Sequence, residues 1–312
     1  MKVISGLNNI ENAGLKNAAI TLGTFDGVHL GHKKIIGTLL EVSREKGLNP
    51  TLMTFYPHPQ LVLGKKKGPV ELLTTFDEKM TLLENAGVET VVVLEFNRQL
   101  ASYPPEDFVK EILIKKLDMK ALVFGYDHAF GKNRAGNKEL LEKMASAEGF
   151  AFTLVPEHKS DSLTLKSTAI RKELKSGDYE KAVASLGYNY FITGKIVKGH
   201  GIGKTLGYPT INLAVPSGKL LPRDGVYAAK ASFDGRDYSG MAYIGQRLTF
   251  HDETLSVEIN LFDFSGKIES ETAVLELLHF VRPPAKFKSA DELTEKIKED
   301  EKIIRDRIAQ EE

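Results

Sequence analysis

The sequence contains no cysteine. That excludes disulfide staples, thiolate nucleophiles and cysteine-ligated zinc together. It carries no net charge either: 42 lysines and arginines balance 42 aspartates and glutamates. No long-range field therefore steers the chain toward nucleic acid or an acidic membrane surface. No apolar run approaches the ~20 residues needed to span a bilayer. The first residues, MKVISGLNNIENAG, lack the apolar stretch and small-residue cleavage site of a secretory signal. No internal repeat is visible. What is present is a 312-residue chain of ordinary globular composition, long enough for two domains with separate cores. The expectation is a cytoplasmic enzyme or binding protein with small-molecule partners, no nucleic acid and no membrane. Nothing in the residues specifies an oligomeric state.

The first half alternates apolar runs with amphipathic stretches. Strands are expected at Ala18–Leu22, Thr51–Phe55, Thr90–Leu94, Ala121–Phe124 and Phe152–Val155, and helices at Gly31–Lys46, Thr75–Ala86, Pro104–Leu117 and Lys138–Ala147. Such alternation implies a parallel sheet covered on both faces, with ligands at the carboxyl ends of its strands. A loop then runs into a helix through LKSTAIRKELKSG, where a hydroxyl of Ser167 or Thr168 can cap and Arg171 lies one turn in. A short helix follows at Asp178–Leu186. After Tyr190 the texture changes to short β-branched runs and turn signals, ending in a helix opened by Ser289 and Glu292 as a capping box. The reading is an α/β parallel-sheet, Rossmann-like domain over 1–187 and a small β-barrel with a terminal α-helix over 188–312. The basic run Gly64-Lys65-Lys66-Lys67-Gly68 reads as a solvated surface loop.

Two stretches carry chemistry. In TLGTFDGVHLGH an apolar strand breaks at Gly23 and Gly27 and a helix starts near Gly31. That layout aims backbone N–H groups and the positive helix end at an anion. His29 and His32, three apart, can face the same anion. With Gly23, Phe25, Asp26, Ser167, Thr168 and Arg171 they make a donor set that suits a nucleoside triphosphate. No nucleophile for a covalent intermediate is evident, so the chemistry is positioning and charge stabilisation of an in-line displacement. In the second half, VKGHGIGKTLGYPTINL holds Gly201, Gly203 and Lys204 in a glycine-rich loop. Thr210 and Asn212 follow on one face of a strand, where they suit a hard metal ion. In LSVEINLF, alternation sets Glu258 with Ser256 and Asn260, opposite Val257, Ile259 and Leu261. On pattern alone Glu258 reads as a solvent-facing strand carboxylate, and Arg282, in FVRPPAKF, is as well read as a surface arginine as a site residue.

GTFDGVHLGH, TFYPHP, FGYDHAFGKNRAGN and STAIR, in that order, resemble the bacterial FAD synthetase family, the bifunctional riboflavin kinase/FMN adenylyltransferases. The resemblance runs along nearly the whole chain. It implies an N-terminal nucleotidyltransferase of HxGH type, in which His29 and His32 contact the ATP phosphates and Ser167, Thr168 and Arg171 close the triphosphate site. Pro57, His58, Pro59 and Asp127 would lie on its flavin side. It also implies a riboflavin kinase whose PTxN motif, Thr210 and Asn212, holds Mg²⁺ and ATP. Glu258 would be its catalytic glutamate, and Arg282 would steady the nucleotide or flavin loop. ATP is then the co-substrate of both steps, with FMN and FAD as substrate and products. The chain departs from the family's usual residues at His128 (Phe), Lys166 (Ser), Tyr243 (Asn), Leu248 (Pro) and across Lys267–Ser270. Two further readings are an adenylyltransferase with a weakened kinase half, and a flavin- or nucleotide-sensing regulator without turnover.

Overall fold

The structure, a computed structural model, describes residues 1–64, 70–126, 128–132, 135–157, 165–198, 208–247 and 252–310. The chain divides into two compact units, Met1–Ser167 and Thr168–Glu312. Among the described residues no helix is long and apolar enough to cross a membrane.

The first unit is built on six parallel strands: β1 (Lys2–Ser5), β2 (Ala18–Leu22), β3 (Asn49–Tyr56), β4 (Thr90–Glu95), β5 (Met119–Gly125) and β6 (Ala151–Val155). Their order across the sheet is β1-β4-β3-β2-β5-β6. Every residue of β2 is buried, as a continuous apolar run in a sheet covered on both faces requires. The chain lays β3 and β4 on one side of β2 and then returns to lay β5 and β6 on the other. The carboxyl ends of β2 and β5 therefore flank the topological switch point, where α/β sheets open a crevice. Helix Leu30–Lys46 buries Ile35, Ile36 and Leu39 against the sheet and stops at Gly47, which is left-handed at φ 64°.

The five expected strands are present, each within a residue or two. β1 was not expected, because only Ile4 of its four residues is buried and no alternation marks it. The expected Pro104–Leu117 helix is instead a turn at Pro105–Asp107 continued by a π-helix, Phe108–Lys116. Phe108, Val109, Ile112 and Leu113 are buried there, a spacing that a wider turn serves as well as an α-helix does.

The second unit begins with helices Ser167–Ser176, whose first residue belongs to the first unit, and Tyr179–Leu186. Both pack on the barrel that follows: the Arg223 N–H donates to the Leu174 carbonyl at 2.8 Å, and the Tyr179 ring meets Tyr227 edge-on at 5.7 Å. The change of texture read at 187/188 thus lies inside this unit. The barrel strands are β7 (Phe191–Val197), β8 (Thr210–Ala214), β9 (Gly225–Phe233), β10 (Arg236–Arg247), β11 (Asp252–Leu261) and β12 (Thr272–Arg282), closed in the order β10-β11-β8-β7-β12-β9. Asp234 and Gly235, at φ 50° and 70°, form the two-residue hairpin turn between β9 and β10. Cross-strand pairs Ala242–Ile259, Ile244–Val257 and Leu275–Ile192 are inaccessible and pack the wall. Helix Ala290–Ile308 lays Ile297, Ile304 and Ile308 against Val226, Ala228, Met241 and Phe262. Ser289 caps it by accepting the Glu292 N–H at 3.1 Å, but the Glu292 carboxylate accepts from Lys288 rather than closing the box on Ser289.

Candidate active sites in the two units

At the end of β2 the chain turns sharply. Phe25 and Val28 take positive φ, 49° and 32°, which residues with a Cβ adopt only at a cost of ~1–3 kcal/mol each. Neighbouring bonds hold the turn. The buried Asp26 carboxylate accepts the N–H groups of Leu73 and Thr74 at 3.2 and 3.1 Å, and the Thr74 hydroxyl accepts the Gly27 N–H at 3.2 Å. A side chain at Gly27 would strike Leu73, 2.6 Å from the position of its Cβ. The Ser167 hydroxyl donates to the Asp26 carbonyl at 2.9 Å. Asp26 and Ser167 therefore shape the loop.

Helix Leu30–Lys46 begins where the turn ends, with no acidic residue in its first turn to compete for the positive end. His29 occupies the N-cap position and makes no side-chain cap bond. Its ring stacks on His32 instead, with centroids 3.7 Å apart and planes at 20°, and Phe25 backs His32 at 5.1 Å. Both imidazoles are buried. His32 is held well below its ordinary pKa by burial first, then by the nearby His29, His128 and Lys79. It is a neutral imidazole at pH 7. His128, at the end of β5, reaches over Gly23: a Cβ there would lie 2.7 Å from its Nε2. The switch point thus brings His128 over Gly23 and near enough to His32 to act on its protonation, beside the stacked His29 ring.

On the β3 side, His58 Nδ1 accepts the Gln60 N–H at 3.2 Å and caps the short helix Pro59–Leu63. His58 also lines an open cleft with Tyr56, Phe76 and Lys79. Pro57 and Pro59 flank it; Asp127 lies outside the described residues. Lys79 was not singled out in the sequence. Its signal was there: on helix Phe76–Asn85 it shares the buried face with Leu83, four residues on, a lysine in an apolar stripe. Thr168 and Arg171 belong to the second unit, on helix Ser167–Ser176.

The barrel's constellation is set by register. Asn212 lies opposite Glu258, Glu258 opposite Tyr243, Tyr243 opposite Val226 and Val226 opposite Arg282. One row across five strands therefore carries the amide, the carboxylate, the phenol and the guanidinium on one face. The Thr210 hydroxyl sits 3.5 Å from Glu258 Oε2, and the Ser256 hydroxyl donates to Oε1 at 3.2 Å. The Tyr243 hydroxyl donates to the Gln246 carbonyl. Arg282 is no surface arginine. Its guanidinium grips the buried Asp300 of helix Ala290–Ile308, Nε to Oδ2 at 2.8 Å and Nη2 to Oδ2 at 2.7 Å. Among the described residues no group of three or more histidines and carboxylates could hold a metal. Hydroxyl, amide and carboxylate oxygens from Thr210, Asn212 and Glu258 are what this wall offers a hard cation. Gly201, Gly203, Lys204 and Leu248 lie outside the described residues, as do Lys65–Gly68 of the basic run.

Two family models match in series: FAD synthetase over residues 11–169 and riboflavin kinase over residues 186–308. The bifunctional riboflavin kinase/FMN adenylyltransferase of Bacillus subtilis (strain 168) is 37% identical over 286 residues, 91% of this chain and 90% of that one. The chain belongs to this family of bifunctional riboflavin kinase/FMN adenylyltransferases. The Listeria monocytogenes member is 35% identical over 290 residues, covering 93% of this chain and 92% of its own. A crystal structure named as a macrolide-efflux protein from Streptococcus pneumoniae has the same fold, with a TM-score of 0.85 and 29% identity over 98% of this chain and 99% of that one. The efflux in that name is said of that protein. The FAD synthetase match holds the stacked histidines, and the riboflavin kinase match holds the Thr210–Glu258 wall. Neither covers 170–185, the helical stretch that packs on the barrel.

Proposed function

We propose that this family member makes FAD from riboflavin in two ATP-dependent steps, phosphorylation to FMN in the barrel over 188–312 and adenylylation of FMN in the domain over 1–187. The observation that carries the reading is the pairing, on one chain, of the stacked His29–His32 rings at the sheet's switch point with the Thr210–Glu258 contact in the barrel wall.

In the adenylylation an oxygen of the FMN phosphate attacks the α-phosphorus of ATP. The new P–O bond forms as the bond to pyrophosphate breaks, and no proton need move because the nucleophile is already an anion. The work left to the protein is alignment and charge stabilisation. His29 and His32 supply N–H donors beside the helix N-terminus. Asp26 and Ser167 hold the turn that presents them. The STAIR motif assigns Thr168 and Arg171 to the same polyphosphate, and Pro57, His58, Pro59 and Asp127 to the flavin side.

Phosphorylation differs because a ribityl hydroxyl must lose its proton as it attacks the γ-phosphorus and ADP leaves. Glu258 is placed to accept that proton. The oxygens of Thr210 and Asn212 fit a Mg²⁺ ion, which when bound supplies neutralisation of phosphate charge. Gly201, Gly203 and Lys204 are assigned to the ATP phosphates by the glycine-rich motif. Arg282, anchored by Asp300, braces the flavin side of the same wall. The need for ATP and the absence of cysteine fit the cytoplasm.

Incubation with riboflavin, ATP and Mg²⁺, with the flavins resolved over time, tests this: FMN should rise first and FAD follow. FAD formed from FMN but none from riboflavin would favour the weakened-kinase reading. Flavin binding with no turnover would favour a sensor.

A further inference from the structure

Lys79 lies one turn inside helix Phe76–Asn85, whose start is fixed by a full capping box between Thr75 and Glu78. It is only 7% exposed. Its ammonium lies 3.3 Å from the Thr24 carbonyl in the turn after β2 and 3.1 Å from the Thr54 hydroxyl on β3. The Phe76 ring centroid is 5.9 Å away. Among the described residues two of its three N–H donors are used, which leaves one for the open cleft that Lys79 lines with Tyr56, His58, Thr75 and Phe76. A buried ammonium calls for a counter-charge. Among the described residues no carboxylate lies within ion-pair distance of it. Asp26 acts on it through space, with its carboxylate engaged by Leu73 and Thr74.

The neighbouring cradle has the opposite shortage. With His32 neutral at pH 7, it presents N–H donors to a polyanion without that ring's charge. The buried cation in this corner is Lys79, close enough to His32 to act on its protonation. We propose that Lys79 is a further substrate-binding residue of the adenylyltransferase site, its ammonium taking a phosphate oxygen across the Tyr56–Phe76 cleft. This rests on reading the Gly23–His32 loop as the polyphosphate site. The phosphate is the nucleotide's or the flavin's, since both meet there, and the test separates them.

Burial lowers the Lys79 ammonium to about 8, against a smaller opposing pull from Asp26. The groups facing it are Asp26 on the loop, His32 on helix Leu30–Lys46, Tyr56 and His58 at the end of β3, and Glu78 beside it, whose carboxylate accepts the Thr75 N–H. None of these residue types ordinarily titrates between pH 7.5 and 9, so a break there belongs to the lysine.

The experiment uses full-length Lys79→Met and Lys79→Arg. FAD formation from FMN and ATP is followed between about pH 6.5 and 9.5, with the far-UV circular dichroism spectrum and melting curve of each variant as the reference for folding. Lys79→Met should raise one KM at least tenfold and remove the alkaline limb of kcat/KM near pH 8. Lys79→Arg should return that KM to within about threefold of wild type and carry the limb beyond pH 9.5. A raised KM for ATP names the nucleotide phosphate; a raised KM for FMN names the flavin phosphate. Both KM values within twofold of wild type in Lys79→Met, or the wild-type limb surviving in it, overturns the proposal. Should Lys79→Met fail to fold, the wild-type profile decides alone, because a KM flat from pH 7 to 9.5 is also an overturning result. His32→Ala runs in parallel. If it leaves FAD formation intact, the site reading itself is lost; if it abolishes FAD formation while Lys79→Met is silent, only the role of Lys79 is.

Discussion

Two imidazoles stacked at 3.7 Å cannot both carry charge cheaply, and burial already holds His32 neutral. Their use is therefore as fixed N–H donors to charge that develops in the reaction. His29→Ala or His32→Ala should lower the rate of FAD formation by ~10²–10³-fold, the scale for losing one preorganised donor, and leave riboflavin phosphorylation unchanged. Glu258→Gln should do the reverse. It keeps the side-chain size near Thr210 and Ser256 but removes the proton acceptor, so FMN formation should fall ~10²–10⁴-fold while FMN is still adenylylated. One flavin product assay on the three variants checks both outcomes, and a variant that stops both steps while folded would contradict the separate assignment of the two sites. Lys79 makes a prediction about stability. Its pKa is about 8 in the folded chain against 10.5 ordinarily. Between those values the unfolded chain binds a proton that the folded chain lacks, so wild-type stability rises with pH across that window. Below pH 8 the whole penalty of about 3 kcal/mol is in force. Lys79→Met removes it at the loss of two hydrogen bonds worth ~1 kcal/mol each. Its melting temperature at pH 7 should match or exceed wild type, and that advantage should be gone at pH 10.5.

At the scale of elements, what could be read from the residues was whatever repeats with a period. The buried run of β2, the alternation around Glu258 and the apolar stripe of helix Leu30–Lys46 each show in a few neighbouring residues. β1 did not show, because an edge strand with a single buried residue has no period. The π-helix did not show, because its buried positions fit either helix type. The anchor of Arg282 did not show for a related reason: what holds it is Asp300, on a helix no pattern in β12 announces. That bidentate pair joins the last strand to the last helix, with side chains 16% and 1% exposed. Burial pushes the Asp300 carboxyl up while Arg282 pulls it down. Removing one partner leaves the other charge buried alone, which costs ~3–5 kcal/mol. Asp300→Ala should lower the unfolding free energy of the barrel by that amount, read from its urea denaturation curve. If Arg282 braces the flavin side of the wall, the same variant should raise the KM for riboflavin more than the KM for ATP.

For the whole molecule, the division into two activities was legible, because the motifs fall in series and the periodicity changes once. Which elements pack together was not. Helix Tyr179–Leu186 looks like a continuation of the α/β half, yet its contacts are with strands far along the chain. The Tyr179 hydroxyl donates to the Leu277 carbonyl, 98 residues away, and accepts the Tyr190 N–H at 3.2 Å. Tyr179, Ala182 and Leu186 are buried. A chain cut at the change of texture, 188–312, keeps every kinase residue named above but uncovers Tyr227 and the start of β7. A chain cut at the boundary between compact units, 168–312, keeps the helix in place. A buried tyrosine contributes about 4–6 kcal/mol from ~150–250 Å² at ~25 cal/mol/Å², and Leu186 adds about 2 kcal/mol. That sum is a large fraction of the stability of a domain this size. The 168–312 fragment should unfold cooperatively and phosphorylate riboflavin, whereas 188–312 should unfold several kcal/mol earlier in urea and lose activity on mild warming. Equal urea midpoints for the two fragments would show that the helix only rests on the barrel, and that 188–312 is the folding unit after all.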